Sequence, residues 1–195
     1  MISRKDKDRL RELASKQMEL HNSSKNLSLI DEWYRHNSCI KGRPIIHVDM
    51  TYFSDAVILP MLKCESPEAR GIEYDLIKCF ANFDLFDDDW PVPDFFPVHI
   101  GSWIRFFGFD TTGEKSGDSI APIHPIRIHD LEAEADSLGK TIMGVERGKA
   151  LRMFDVCQDI FGDILPSKLG HEVPRVVPTR ELVYLMGMEK MLYAL

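Results

Sequence analysis

Along the first 43 residues, apolar positions are sparse among charges, with Leu10, Leu13, Met18 and Leu20 spaced for one helical stripe. That pattern predicts a peripheral helix over the first ~22 residues, and a second helix is expected over Ser28–His36. Gly42-Arg43-Pro44 then breaks the helical pattern, and Ile45-Ile46-His47-Val48-Asp49-Met50 reads as a buried strand. Successive strand residues point to opposite faces, so Ile45, His47 and Asp49 are expected on one face and Ile46, Val48 and Met50 on the other.

The strongest helical signal follows. Ser66-Pro67-Glu68 offers an N-cap, a proline suited to the first turn and an acid for the positive end of the dipole. Ala69, Ile72, Leu76, Phe80 and Phe83 then recur at steps of three and four. The helix is expected to stop near Phe86, where Asp87-Asp88-Asp89 begins a solvated loop ahead of Trp90-Pro91-Val92-Pro93.

Phe95–Ile100 is expected to be extended, 107–117 to be a loop, and Ile123–Ile128 to be extended because residues preceding proline avoid the helical region. Asp130 caps a short predicted helix through Leu138. A longer helix is expected from about Val145 to Phe161, with Ala150, Met153, Phe154, Cys157 and Phe161 inward. Thr179 is expected to cap a last helix with an apolar face. Helices alternating with strand-like pieces predict an α/β fold with a parallel sheet.

Composition narrows the function classes. A net charge of −7 opposes general nucleic-acid binding, which needs a positive footprint. The four cysteines, Cys39, Cys64, Cys79 and Cys157, form no C-x-x-C pair, so reduced thiols are expected rather than disulfides or a zinc knuckle. No apolar run approaches the ~20 residues that cross a bilayer, and the charged N-terminus is unlike a signal peptide. A cytoplasmic protein is the expectation. The chain ends within an apolar helical pattern lacking a glycine cap, which suggests the front part of something longer.

Several segments together carry a family resemblance. Cys64-Glu65-Ser66-Pro67-Glu68 with its helix, Phe96–Ile100 followed by Ile104–Gly108, and Ile123–Ile126 with His129-Asp130-Leu131-Glu132 resemble the uroporphyrinogen decarboxylase superfamily in order and spacing. Arg70-Gly71-Ile72-Glu73, Phe161-Gly162-Asp163-Ile164-Leu165-Pro166 and Gly187-Met188-Glu189 resemble its methyltransferase-like branch, although Met186 stands where that branch has an arginine.

The resemblance implies the N-terminal part of a TIM-type (β/α)₈ barrel over residues 44–195, preceded by a helical extension over 1–43. Such barrels need about 250 residues and carry their sites at the C-terminal ends of the strands. Half of one is expected to be inactive alone. The implied parent enzyme moves a methyl group between a small substrate and a corrinoid protein. Corrinoid would sit on that partner protein, and zinc is implied for the complete enzyme. Nothing after Cys157 resembles the family's His-x-Cys…Cys zinc set, so no metal ligand is assigned.

In that frame His47 and Asp49 are the candidate catalytic pair, facing the barrel interior. The alternatives are a satisfied core histidine and an aspartate capping the turn at Thr51. His99, Trp103, Arg127 and His129 are candidates for substrate binding, with packing the alternative for Trp103 and Phe106. Two rival functions stand beside methyl transfer. One is a non-catalytic half-barrel that assembles with a second chain or with itself; the other is tetrapyrrole binding or decarboxylation.

Overall fold

The computed structural model describes residues 2–114, 122–171 and 177–193. They are mixed α/β, with 56% helix and 11% strand. Two compact units form: Met1–Val98 with Ala150–Gly170, and His99–Lys149 with His171–Leu195.

In the first unit, α1 (Arg4–His21) packs on α4 (Pro67–Ala81). Leu10, Leu13 and Ala14 are buried on α1, and Ala69, Ile72, Leu76 and Phe80 on α4. The predicted stripes form in large part, with Met18, Leu20 and Phe83 only half-buried and Ala14 added. The Ser66 side chain accepts from Ala69 N–H, with Pro67 in the first turn, so the start of α4 is as read from the sequence. The helix runs on through a π-helical turn, Asn82–Phe86, and stops where Asp87 turns left-handed at φ 53°. Helix α2 (Ser24–Asn37) begins earlier than expected because Ser23 accepts from Asn26 N–H.

Strand β1 (Phe96–Ile100) pairs with β4 (Ser167–His171), and Phe96 N–H donates to Pro166 O at 2.9 Å. The last turn of α6 (Arg147–Phe161) brings Phe161 edge-on to Phe96, with ring centroids 5.5 Å apart. Cys157, Ile160, Phe161 and Leu165 are buried there, whereas Met153 and Phe154 are only half-buried.

The predicted strand at Ile45–Met50 does not form. Residues 40–50 lack regular structure, Ile46 is 65% exposed, and α3 (Ser54–Ile58) follows the turn after them. The reason lies in three acids and an amide. The Asp88 carboxylate accepts from Val48 N–H at 2.8 Å, and Asp89 accepts from Ile46 N–H at 2.8 Å. Asn82 Nδ2 donates to Val48 O at 2.8 Å, and Asp49 accepts from Thr51 N–H at 2.9 Å. Polar side chains have taken the backbone groups that a strand ladder would use.

In the second unit, β2 (Ser102–Arg105) pairs antiparallel with β3 (Ile142–Val145). Among the described residues the strands make two two-stranded sheets and no closed barrel. Ile123–Ile128 makes no strand; Ile123 forms one bridge with Glu114. Asp130 caps α5 (Leu131–Glu134) as expected, accepting from Ala133 N–H. The core holds Ile128, Leu185, Met186 and Met191, with Phe109, Leu138, Leu182 and Val183 against it.

The expected last helix is divided. Helix α7 (Pro178–Met186) begins at Pro178 rather than with a Thr179 cap, and Gly187 at φ 80° separates it from α8 (Met188–Tyr193). Of its apolar residues, Leu185 and Met191 are buried, whereas Met188 and Leu192 are 62% and 61% exposed. Leu195 lies outside the described residues.

Candidate functional site

In the second unit, β2, the turn after it and α7 line a cavity of about 290 Å³. Antiparallel pairing sets Trp103 directly across from Gly144. The indole lies over that glycine so closely that a Cβ there would meet Trp103 ring atoms at 2.4 Å. Any side chain at 144 would displace the ring. Phe106 follows in a tight turn containing Phe107 at φ 53° and Gly108 at φ 81°. Tyr184 comes from α7, and the ring of His124 stacks on it at 3.6 Å with only 9° between planes. His124 Nδ1 lies 2.8 Å from Thr111 O, which fixes the loop carrying Thr111 to that stack.

The polar edge centres on Glu181, 7% exposed. Its Oε1 accepts from Arg180 through Nε at 3.2 Å and NH2 at 2.8 Å. Its Oε2 has one partner among the described residues, the Thr111 hydroxyl at 3.5 Å. The arrangement can hold a ring between aromatic faces and present it with a carboxylate oxygen. Of these residues the sequence marks Trp103 as a substrate-binding candidate and Phe106 as a wall or packing residue, but neither Glu181 nor Tyr184. The missing signal was the pairing of 102–105 with 142–145, which a four-residue strand shows weakly.

The candidate catalytic pair is built differently. His47 Nδ1 lies 3.3 Å from Asp88 Oδ2, and the imidazole packs on Trp90 at 4.3 Å between centroids. Asp49 is exposed; the Thr51 hydroxyl and N–H hold its carboxyl below the usual carboxylate range. That is the turn-capping arrangement. The partner of His47 is thus Asp88, from a run expected to be a solvated loop. Burial opposes ionisation of Asp88, but the Val48 and Trp90 N–H groups, Asn82 and His47 outweigh it and lower its pKa. Asp89 is held down to about 2, mainly by Arg43 and by Ile46 N–H.

The other candidates are dispersed. His99 is an exposed residue of β1, and Arg127 is exposed while its N–H donates to Leu185 O at 2.7 Å. His129 lines a separate cavity of about 280 Å³ with Asp130, Met186 and Lys190, and its carbonyl accepts from Lys190 Nζ at 3.1 Å. In the first unit a cavity of about 130 Å³ lies beside Arg43, which is engaged by Glu32 and Asp89.

Among the described residues no three His, Cys, Asp or Glu side chains converge as a metal site. They do not fit the zinc that the family resemblance implies. Burial pushes the thiols of Cys64, Cys79 and Cys157 up to about 12, which makes them poor nucleophiles at neutral pH. Among the described residues no helix is long and apolar enough to cross a membrane. Comparisons of the chain with family models, curated proteins and solved structures gave no match.

Proposed function

We propose that the chain is the N-terminal portion of a uroporphyrinogen decarboxylase-like enzyme. Its parent activity is corrinoid-dependent transfer of a methyl group, in the cytoplasm, between a small substrate and a corrinoid protein. One observation carries this reading. The segments that resemble the family, Ser66–Glu68 and Phe161–Pro166, start α4 and end α6, and the strands that follow those helices, β1 and β4, are paired. Helix-then-strand units with adjacent strands are what a (β/α) barrel is assembled from.

Within this reading the cavity at Trp103 supplies a substrate pocket, and no step is routed through zinc. His47 and Asp49 remain the candidate catalytic pair of the assembled enzyme. In the chain itself Asp49 caps a turn, and the imidazole of His47 has only one ring nitrogen directed at Asp88.

Demethylation of methylcobalamin tests the proposal. The chain is produced together with the polypeptide encoded by adjoining sequence and mixed with methylcobalamin and a small thiol. The corrinoid's visible spectrum should change from the methylated to the demethylated form only when the chain is present. No change, with an intense porphyrin band in the purified protein, would replace methyl transfer by tetrapyrrole binding.

A further inference from the structure

We infer that the cavity between β2 and α7 binds a neutral ring bearing hydroxyl groups, and this does not depend on the methyl-transfer reading. Charge decides the class of ligand. Glu181 is paired with Arg180 on the lining, and Arg105 lies 5.1 Å from the Trp103 ring while sitting 3.7 Å from Asp110. An anionic ligand would meet the Glu181 carboxylate. A cationic one would meet the Arg180 guanidinium, which lies on the lining 5.7 Å from the Tyr184 ring. A neutral ligand meets neither penalty.

Two features then select a hydroxylated ring. Trp103, Phe106 and Tyr184 line the cavity, with one face of Tyr184 taken by His124, and aromatic partners gain from offset or edge-on stacking beyond the area they bury. Glu181 Oε2, on a side chain with one-tenth of its surface exposed, has one partner among the described residues, the long 3.5 Å contact with the Thr111 hydroxyl. A carboxylate oxygen accepts and cannot donate, so the group that completes it must bring a hydrogen. A ligand hydroxyl does so, through a charge-assisted bond. Gly144 keeps the indole in place, so this glycine sets the width of the pocket.

The test uses the whole chain and three probes: resorcinol, neutral and hydroxylated; benzoate, anionic; choline, cationic. The chain has three tryptophans, and their indole N–H signals are followed by nitrogen-correlated NMR, with Trp103→Phe assigning one of them. Resorcinol should move the Trp103 signal saturably and leave those of Trp33 and Trp90 in place. Benzoate and choline should bind at least about tenfold more weakly. Glu181→Gln should weaken resorcinol binding by about tenfold, because the amide NH₂ that replaces Oε2 cannot accept the ligand's hydroxyl hydrogen. Gly144→Ala should abolish the response in a chain whose spectrum is otherwise that of the folded protein. Equal binding of choline or benzoate, an unchanged Glu181→Gln affinity, or no saturable shift with resorcinol would each overturn the proposal.

Discussion

Two buried glutamates, each paired with an arginine, do opposite things. Glu73 on α4 is fully buried, and both its oxygens are committed. Oε1 accepts from Arg9 Nε at 2.9 Å, and Oε2 accepts from the N–H groups of Lys63 and Cys64 at 2.9 and 2.8 Å. Burial works against its charge, yet the Cys64 N–H, Arg9 and the Lys63 N–H together hold its pKa below the ordinary value. Glu181 on α7 is nearly as buried, but Oε2 rests on one long contact beside a cavity. A carboxylate saturated with donors is a structural pin. One with an oxygen held by a single long bond, on the lining of a cavity, is a place for a ligand.

The largest effect expected from this difference is at residue 73. In Glu73→Gln the amide must aim its NH₂ either at the Arg9 guanidinium or at two backbone N–H groups. Donor meets donor both ways, and the half-buried Arg9 keeps only Glu12, which is mostly exposed, as a counter-charge. A loss of about 3 kcal/mol or more in urea unfolding is expected, the range for breaking a buried pair. An effect under about 1 kcal/mol would mean that solvent reaches this pair.

Asp88→Ala comes next. It leaves Val48 N–H, Trp90 N–H and Asn82 without their shared acceptor. A loss of about 2 kcal/mol is expected, with a change in tryptophan fluorescence as the Trp33–Trp90 edge-to-face pair, 5.5 Å apart, loosens. A stability loss without a fluorescence change would place the pin elsewhere.

Acid should release these pins together. Glu73, Asp88 and Asp89 all have folded pKa values below their unfolded ones, so their contribution is complete above about pH 5. It declines as pH falls below that, and for Asp89 it persists until about pH 2. Stability that stays flat from pH 5 to the acid limit would contradict the assignment. Asp49→Ala should give the smallest loss of the acids named, because this exposed carboxylate holds only the Thr51 turn. A loss rivalling that of Asp88→Ala would give it a larger structural part.

The same distinction explains what the sequence made legible. Helices α1, α4 and α6 follow from apolar spacing and caps, since a helix satisfies its own backbone and needs only one buried stripe. The strand predicted at Ile45–Met50 failed because its β-branched residues were a local signal, while Asp88 and Asp89, some forty positions away, claimed its N–H groups. Ordinary hydrophobic patterning carries no trace of that claim. Trp103 could be chosen as a candidate because it lies just past the strand-like segment Phe95–Ile100. Glu181 could not, since an acid in the first turn of a helix reads as a dipole partner until its burial and its neighbours are known.

Unfolding Glu73→Gln and Glu181→Gln side by side in urea tests the contrast most directly. In Glu181→Gln the amide oxygen can keep the Arg180 bonds while the NH₂ donates to the Thr111 hydroxyl, which can accept. The account predicts a loss within about 1 kcal/mol at 181 and one about 2 kcal/mol larger at 73. Equal losses, or a larger loss at 181, would show that Glu181 is a structural pin like Glu73 and would remove the cavity's claim to a ligand.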